Sequence, residues 1–159
     1  MAEQKNLEQA KIAFATLCKT LEENDWVYKK DDEKLIIECS ARGDDLPMEI
    51  TVKVDADRML VLLLSHLPFV IQDDKRIEIA IAVSAINNAL VDGSFDYDLM
   101  SGHLFFRMTN SFLESQLSEQ VFAYMLYCSC HTIDNYNDKL LMLAKGMISV
   151  EQFISTLGN

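Results

Sequence analysis

The stretch from Met48 to His66, MEITVKVDADRMLVLLLSH, decides how the rest of the chain is arranged. Met48, Ile50, Val52 and Val54 alternate with Glu49, Thr51, Lys53 and Asp55. A period of two sends successive side chains to opposite faces, so this half reads as a half-buried strand. Asp55-Ala-Asp-Arg58 supplies a turn, because an Asp side chain bonds to the backbone a few residues downstream. The strand that follows, from Met59 to about His66, has no polar face. A strand apolar on both sides is covered on both sides, so something is expected to pack on its second face.

Working upstream, Trp26-Val-Tyr28 and Leu35 to Cys39 read as two more strands, joined by the charged turn Lys30–Lys34. Before them Leu7, Ala10, Phe14, Leu17, Cys18 and Leu21 recur every three or four residues. That is one stripe of a helix, with Asn6 as its cap and an end near Asn24. Downstream, Pro68 ends the central strand and Asp73-Asp74 offers an N-cap for a helix running to Val91, closed by Gly93. Ile77, Ile79, Ile81, Val83, Ile86, Leu90 and four alanines leave this helix little polar circumference, which predicts burial nearly all round. Residues 94–109 read as a hairpin with Gly102 in its loop, and Leu104 to Met108 is apolar on both faces apart from Arg107. A long helix from Ser118 to Ala144 keeps Phe122, Met125, Ile133, Tyr136, Leu140 and Leu143 on one stripe, and turns Asp134, Asn135, Asn137 and Asp138 to water. Ser149-Val-Glu-Gln152 spells a capping box for a short last helix. The order α-ββββ-α-ββ-α-α defines an α+β fold, an antiparallel sheet with helices on one side, as a single domain over residues 1–159.

Charge narrows the partners. With 25 acidic and 14 basic side chains the net charge is −11. Neutralising phosphates needs a basic surface, so nucleic acid is excluded as a partner, and anionic membranes with it. The longest apolar run, Met59 to Leu64, falls far short of the ~20 residues a bilayer span requires. The polar N-terminus carries no secretory signal pattern. Cys18, Cys39, Cys128 and Cys130 sit inside apolar segments without a disulfide-framework spacing, so a reducing, cytoplasmic setting is expected.

Each possible site for chemistry has a plainer reading. The glycines at 43, 93, 102, 146 and 158 form no phosphate-cradling loop. Asp96-Tyr-Asp98-Leu-Met-Ser-Gly102 starts like a calcium loop but has Met100 at the fifth position and Arg107 in place of the final Glu. The acidic pairs at 31–32, 44–45, 55/57 and 73–74 all fall at turns or helix starts. Cys128-Ser-Cys130-His131 is the sharpest candidate for a metal- or thiol-dependent enzyme. On a helix, however, only Cys128 and His131 of these share a face, and zinc needs two further ligands. The reading is therefore non-enzymatic, with no cofactor and no metal.

The segment INNALVDGSFDYDLMSGHLFFR, Ile86 to Arg107, resembles the YbjN family of bacterial sensory-transduction regulators. In that family a helix ending in an Ile-Asn pair leads to a Gly, an acidic hairpin with a second Gly, a hydrophobic strand ending in Arg and a long C-terminal helix. The resemblance covers about residues 5 to 145. It implies the fold of class I type III secretion chaperones, which are small, acidic and usually dimeric, and it implies a binding surface rather than a reaction. This chain departs from those chaperones in showing four strands before the central helix where they have three. Asn87, the polar residue of that Ile-Asn pair, is expected to bond to the backbone of the neighbouring loop or hairpin.

A homodimeric protein-binding domain, chaperone-like or regulatory, follows as the leading expectation. Leu62, Leu64, Leu104, Phe106 and Met108 are the expected contact residues, on the assumption that they form the uncovered side of the two greasy strands. A signalling or transcription regulator acting by protein contact, without chaperone activity, is the alternative within the same class.

Overall fold

The computed structural model describes residues 2–158. Its elements follow the expected order: α1 (Ala2–Glu23), β1 (Tyr28–Asp31), β2 (Ile36–Arg42), β3 (Pro47–Asp55), β4 (Leu60–Val70), α2 (Arg76–Ala89), β5 (Ser94–Tyr97), β6 (His103–Ser111), α3 (Glu119–Ala144) and α4 (Val150–Ser155). The six strands form one antiparallel sheet in the order β1-β2-β3-β4-β6-β5. The chain is therefore an α+β fold. Its one non-sequential neighbour pair is β4–β6, between which α2 and β5 are inserted.

Two of the hairpin tips share a device. Asp31 accepts hydrogen bonds from the amides of Glu33 and Lys34, and Asp55 does the same for Asp57 and Arg58. The next residue in each turn, Leu35 or Met59, takes a left-handed backbone with φ of 54° or 53°. That conformation costs an ordinary residue about 1 kcal/mol. Here it sends an apolar side chain back into the core, where both are buried.

The helix-facing side of the sheet carries Ile37, Cys39, Met48, Ile50, Val52, Val54, Val61, Leu63, Leu67, Leu104, Phe106 and Met108. α1 lies against α3 and β3, α3 crosses β4 and β6, and α2 packs on β5, α3 and α4. Phe95 meets Phe106 and Tyr136 edge-on, with ring centroids 5.2 and 6.0 Å away. Ser118 caps α3 by accepting from the Val121 amide, and the Ser149–Gln152 capping box opens α4. At the end of α3, Gly146 (φ 69°) donates to Leu143 and Met147 donates to Met142, a Schellman stop.

Local expectations differ from the structure at several points. α1 starts before Asn6. Asp73 and Asp74 open a single 3-10 turn and leave α2 without a side-chain cap, and Asp73 instead holds Arg76 at 2.6 Å. α2 stops at Ala89 with an extended Leu90, so Gly93 is no helix stop. It is required in the loop, with φ 71°, because a Cβ there would stand 2.4 Å from the Phe106 ring. Asn137, expected in water, is fully buried, with its Oδ1 accepting from the Asp138 amide.

Gly102 (φ 76°) offers a direct test, since a Cβ would lie 2.4 Å from the Ile71 carbonyl oxygen, which accepts no such approach. Gly102→Ala is expected to lower unfolding free energy by about 2 kcal/mol or more in urea titrations, from strained backbone plus that clash. A second test uses acid. Backbone and hydroxyl donors hold the carboxyls of Asp31, Asp55 and Asp98 below their usual value of 3.8. Their stabilisation is present above that value and is lost as pH falls through the lowered folded values. The urea midpoint is expected to drop as pH falls below about 4, and to drop less in Asp98→Asn, which cannot be protonated.

Candidate protein-binding faces

The alternation along β4 and β6 sorts the expected contact residues into two groups. Leu104, Phe106 and Met108 lie on the helix side, buried, with Phe106 at 0% exposure. They are core, and the expectation that they meet a partner is corrected on that ground. An even-numbered residue of β6 and an odd-numbered residue of β4 share one face in this register, as Leu63 opposite Met108 shows. Leu62 and Leu64 point the other way, where they are half-buried between their neighbours.

That other face is uncovered. Among the described residues all four helices pack on the first face, and the outward residues of the sheet are exposed or half-buried. Cross-strand register arranges them in rows: Glu38, Thr51, Leu64, Arg107 and Ser94 in one, with Ser40, Glu49, His66, Phe105 and Asp96 in the next. A third row holds Ile36, Lys53, Leu62 and Thr109. Leu60, Leu62 and Leu64 thus make an apolar strip along β4, widened by Phe105, whose ring lies 5.3 Å from that of His66. Arg107 grips Asp96 at 2.8 Å and Lys53 holds Asp55 at 3.5 Å. So none of the described residues closes the second side of the greasy strand.

A second open surface was not expected. α2 buries only Ile79, Ala82, Val83 and Ile86. Ile77 is 77% exposed and Ile81 45% exposed, and with Ala80, Ser84 and Asn88 they line a shallow trough of about 730 Å³ closed by Leu99. The helix is apolar nearly all round in sequence but is covered on one side only. The signal that could have found this face is Ile77-x3-Ile81, outside the buried stripe that starts at Ile79.

Asn87 joins α2 to the edge of the sheet. Its Nδ2 donates to the Phe95 carbonyl and its Oδ1 accepts from the Phe95 amide, both at 2.9 Å. One side chain thereby substitutes for a strand neighbour and ties α2 to the start of β5. Asp98 closes the β5–β6 turn, accepting from the Met100 and Ser101 amides and the Ser101 hydroxyl, while Asp96 serves Arg107. The would-be calcium carboxylates are thus turn and ion-pair groups.

The cysteine cluster does not converge. Burial pushes the Cys130 thiol up to about 11, and Cys39, beside it on β2, up to about 12. Both are held as thiols, the poor form for attack or metal binding. Cys128 lies 4.0 Å from the Thr132 hydroxyl, and exposed His131 contacts Asn135 at 3.2 Å. Among the described residues no three His, Cys, Asp or Glu side chains gather as metal ligands, and no helix is long and apolar enough to cross a membrane.

A six-stranded antiparallel sheet with α1 and four strands before the central helix, and an Asn-clamped acidic hairpin after it, defines the class of fold. The family model described as "Putative bacterial sensory transduction regulator", YbjN, matches residues 14–142. The chain belongs to the YbjN family. Among solved structures it is similar to one described as "YbjN, a putative transcription regulator from E. coli", with a TM-score of 0.61, 13% identity and coverage of 84% of this chain and 92% of that one. At that identity the likeness is one of fold. Comparison with curated proteins gave no significant match.

The clamp generates a stability prediction. Asn87→Ala, which strands both polar groups of Phe95, is expected to cost about 2–3 kcal/mol in denaturant unfolding. Asn87→Asp, which keeps an acceptor but loses the donor to the carbonyl, is expected to recover little of it.

Proposed function

We propose that this chain is a non-enzymatic regulator that works by protein contact and does so as a homodimer joined through the outer face of α2. The observation that carries the reading is the trough of Ile77, Ala80, Ile81, Ser84 and Asn88, an apolar helical face left in water. Beyond Glu78, α2 bears no charge in a chain whose net charge is −11. Two such chains repel wherever their acidic surfaces meet, so an uncharged stripe is the surface on which copies can approach. Small residues at Ala80 and Ser84 let two helix axes come within about 8–10 Å. An antiparallel pair also sets the positive end of each helix dipole beside the negative end of its mate.

The open sheet face is then left for the regulated partner. The family's description as a sensory-transduction regulator supports regulatory contact over chaperoning of a client. The raised, half-buried thiol of Cys130 weighs against a cysteine enzyme centred there. Four free cysteines suit a reducing cytoplasm.

Light scattering tests the dimer. Wild-type protein is expected to be dimeric at about 0.1 mM, and Ile81→Glu, which places a charge in the trough on each side, is expected to be monomeric with an unchanged circular dichroism spectrum. A wild-type monomer at that concentration, or a dimer that survives Ile81→Glu, refutes the assignment of this face.

A further inference from the structure

The open face of the sheet carries a second piece of information: the chemistry of what binds it. We infer that it takes a short amphipathic segment of another protein, with apolar side chains over the β4 strip and a Lys or Arg side chain in a hollow beside it. This rests on the protein-binding reading above but not on the dimer.

Shape and charge favour a segment over a second copy of the chain as the occupant. The strip of Leu60, Leu62 and Leu64 is one side chain wide and about 20 Å long to His66, at 3.3 Å per residue. Glu38 and Glu49 flank it without an ion pair among the described residues, so a second copy seated here would bring like charges of two acidic chains together. A single extended or helical segment matches a strip of that width.

Charge decides which segment. Immediately across β3 from Leu64 the face sinks into a hollow of about 410 Å³. Short Ser40 and Thr51 lie between the longer Glu38 and Glu49, with Val27 and Lys29 at the rim. Among the described residues neither Glu38 nor Glu49 forms an ion pair. The other charges near the strip are satisfied: Lys53 with Asp55, and Arg107 with Asp96. Lys29 stands opposite Glu38 in register without reaching it, and Arg42 is at the far end of β2 opposite Pro47. Two carboxylates against one neighbouring cation leave a net negative hollow, open to water and next to apolar surface. A guanidinium or ammonium suits it, and the stem of that side chain can lie along the apolar wall.

The test uses short fluorescent peptides of about eight residues, long enough to span the strip at 3.3 Å per residue. Three are compared by anisotropy: alternating leucine and arginine, alternating leucine and glutamate, and alternating serine and arginine. The leucine–arginine peptide is expected to bind at least tenfold more tightly than either of the others. Leu64→Ser, and separately Glu38→Gln with Glu49→Gln, are each expected to weaken it about five- to tenfold. Glu22→Gln with Glu23→Gln, which removes the same charge from α1, is expected to leave it unchanged. Equal loss from the α1 pair means non-specific attraction to an acidic protein and overturns the proposal. So does unchanged binding in the sheet-face variants, or equal binding of the serine–arginine peptide. Light scattering on the same samples separates the two readings: a dimer lost in Leu64→Ser or in the glutamine pair makes this face the contact between copies and refutes a segment site, whatever becomes of the Ile81→Glu variant.

Discussion

The molecule depends on one pairing, β4 with β6, made across an insertion of α2 and β5. Local hairpins can assemble β1 to β4 alone, but nothing local brings Leu63 opposite Met108. The closure of that long loop is compensated by what the pairing creates, a continuous apolar floor of Val61, Leu63, Leu104, Phe106 and Met108 on which α3 can lie. Once α3 covers that floor, the other side of both strands is left bare. Burial of one face and exposure of the other are thus a single event.

The same pairing fixes where α2 goes. The segment between β4 and β6 has to leave the sheet, return, and enter beside β6 as β5. Asn87 holds that return by bonding both polar groups of Phe95, and Gly93 provides a left-handed bend against the Phe106 ring. The helix is therefore pinned along its buried side and presents Ile77 and Ile81 outward. The surface assigned to a second copy is set by the geometry of the core.

Much of this was legible in the sequence. The order of elements, the antiparallel sheet and the likeness around Ile86–Arg107 follow from periodicity, turn chemistry and spelling. The sides of the apolar strands do not. Residues that alternate in register tell which side chains share a face, but a strand greasy on both faces looks the same whether helices cover one face or the other. The pattern alone therefore admits Leu104, Phe106 and Met108 as contact residues although they are buried, while Leu62 and Leu64 stand on the open face. The all-apolar α2 posed the same ambiguity, since a helix wrapped by its own chain and a helix half in water give one pattern. Asn137 was hidden differently: an amide among Asp134, Asn135 and Asp138 reads as a wet face, and its burial depends on where α3 lies.

The tips of the β1–β2 and β3–β4 hairpins have a dynamic consequence. Loop tips ordinarily fray, and their amides exchange with solvent by small local openings. Here the left-handed residue at each tip, Leu35 or Met59, is also an anchor in the interior. Opening either bend withdraws a large apolar side chain from the core. Proton exchange at these bends is therefore expected to be slower than at ordinary loop tips, because each opening also exposes buried apolar surface.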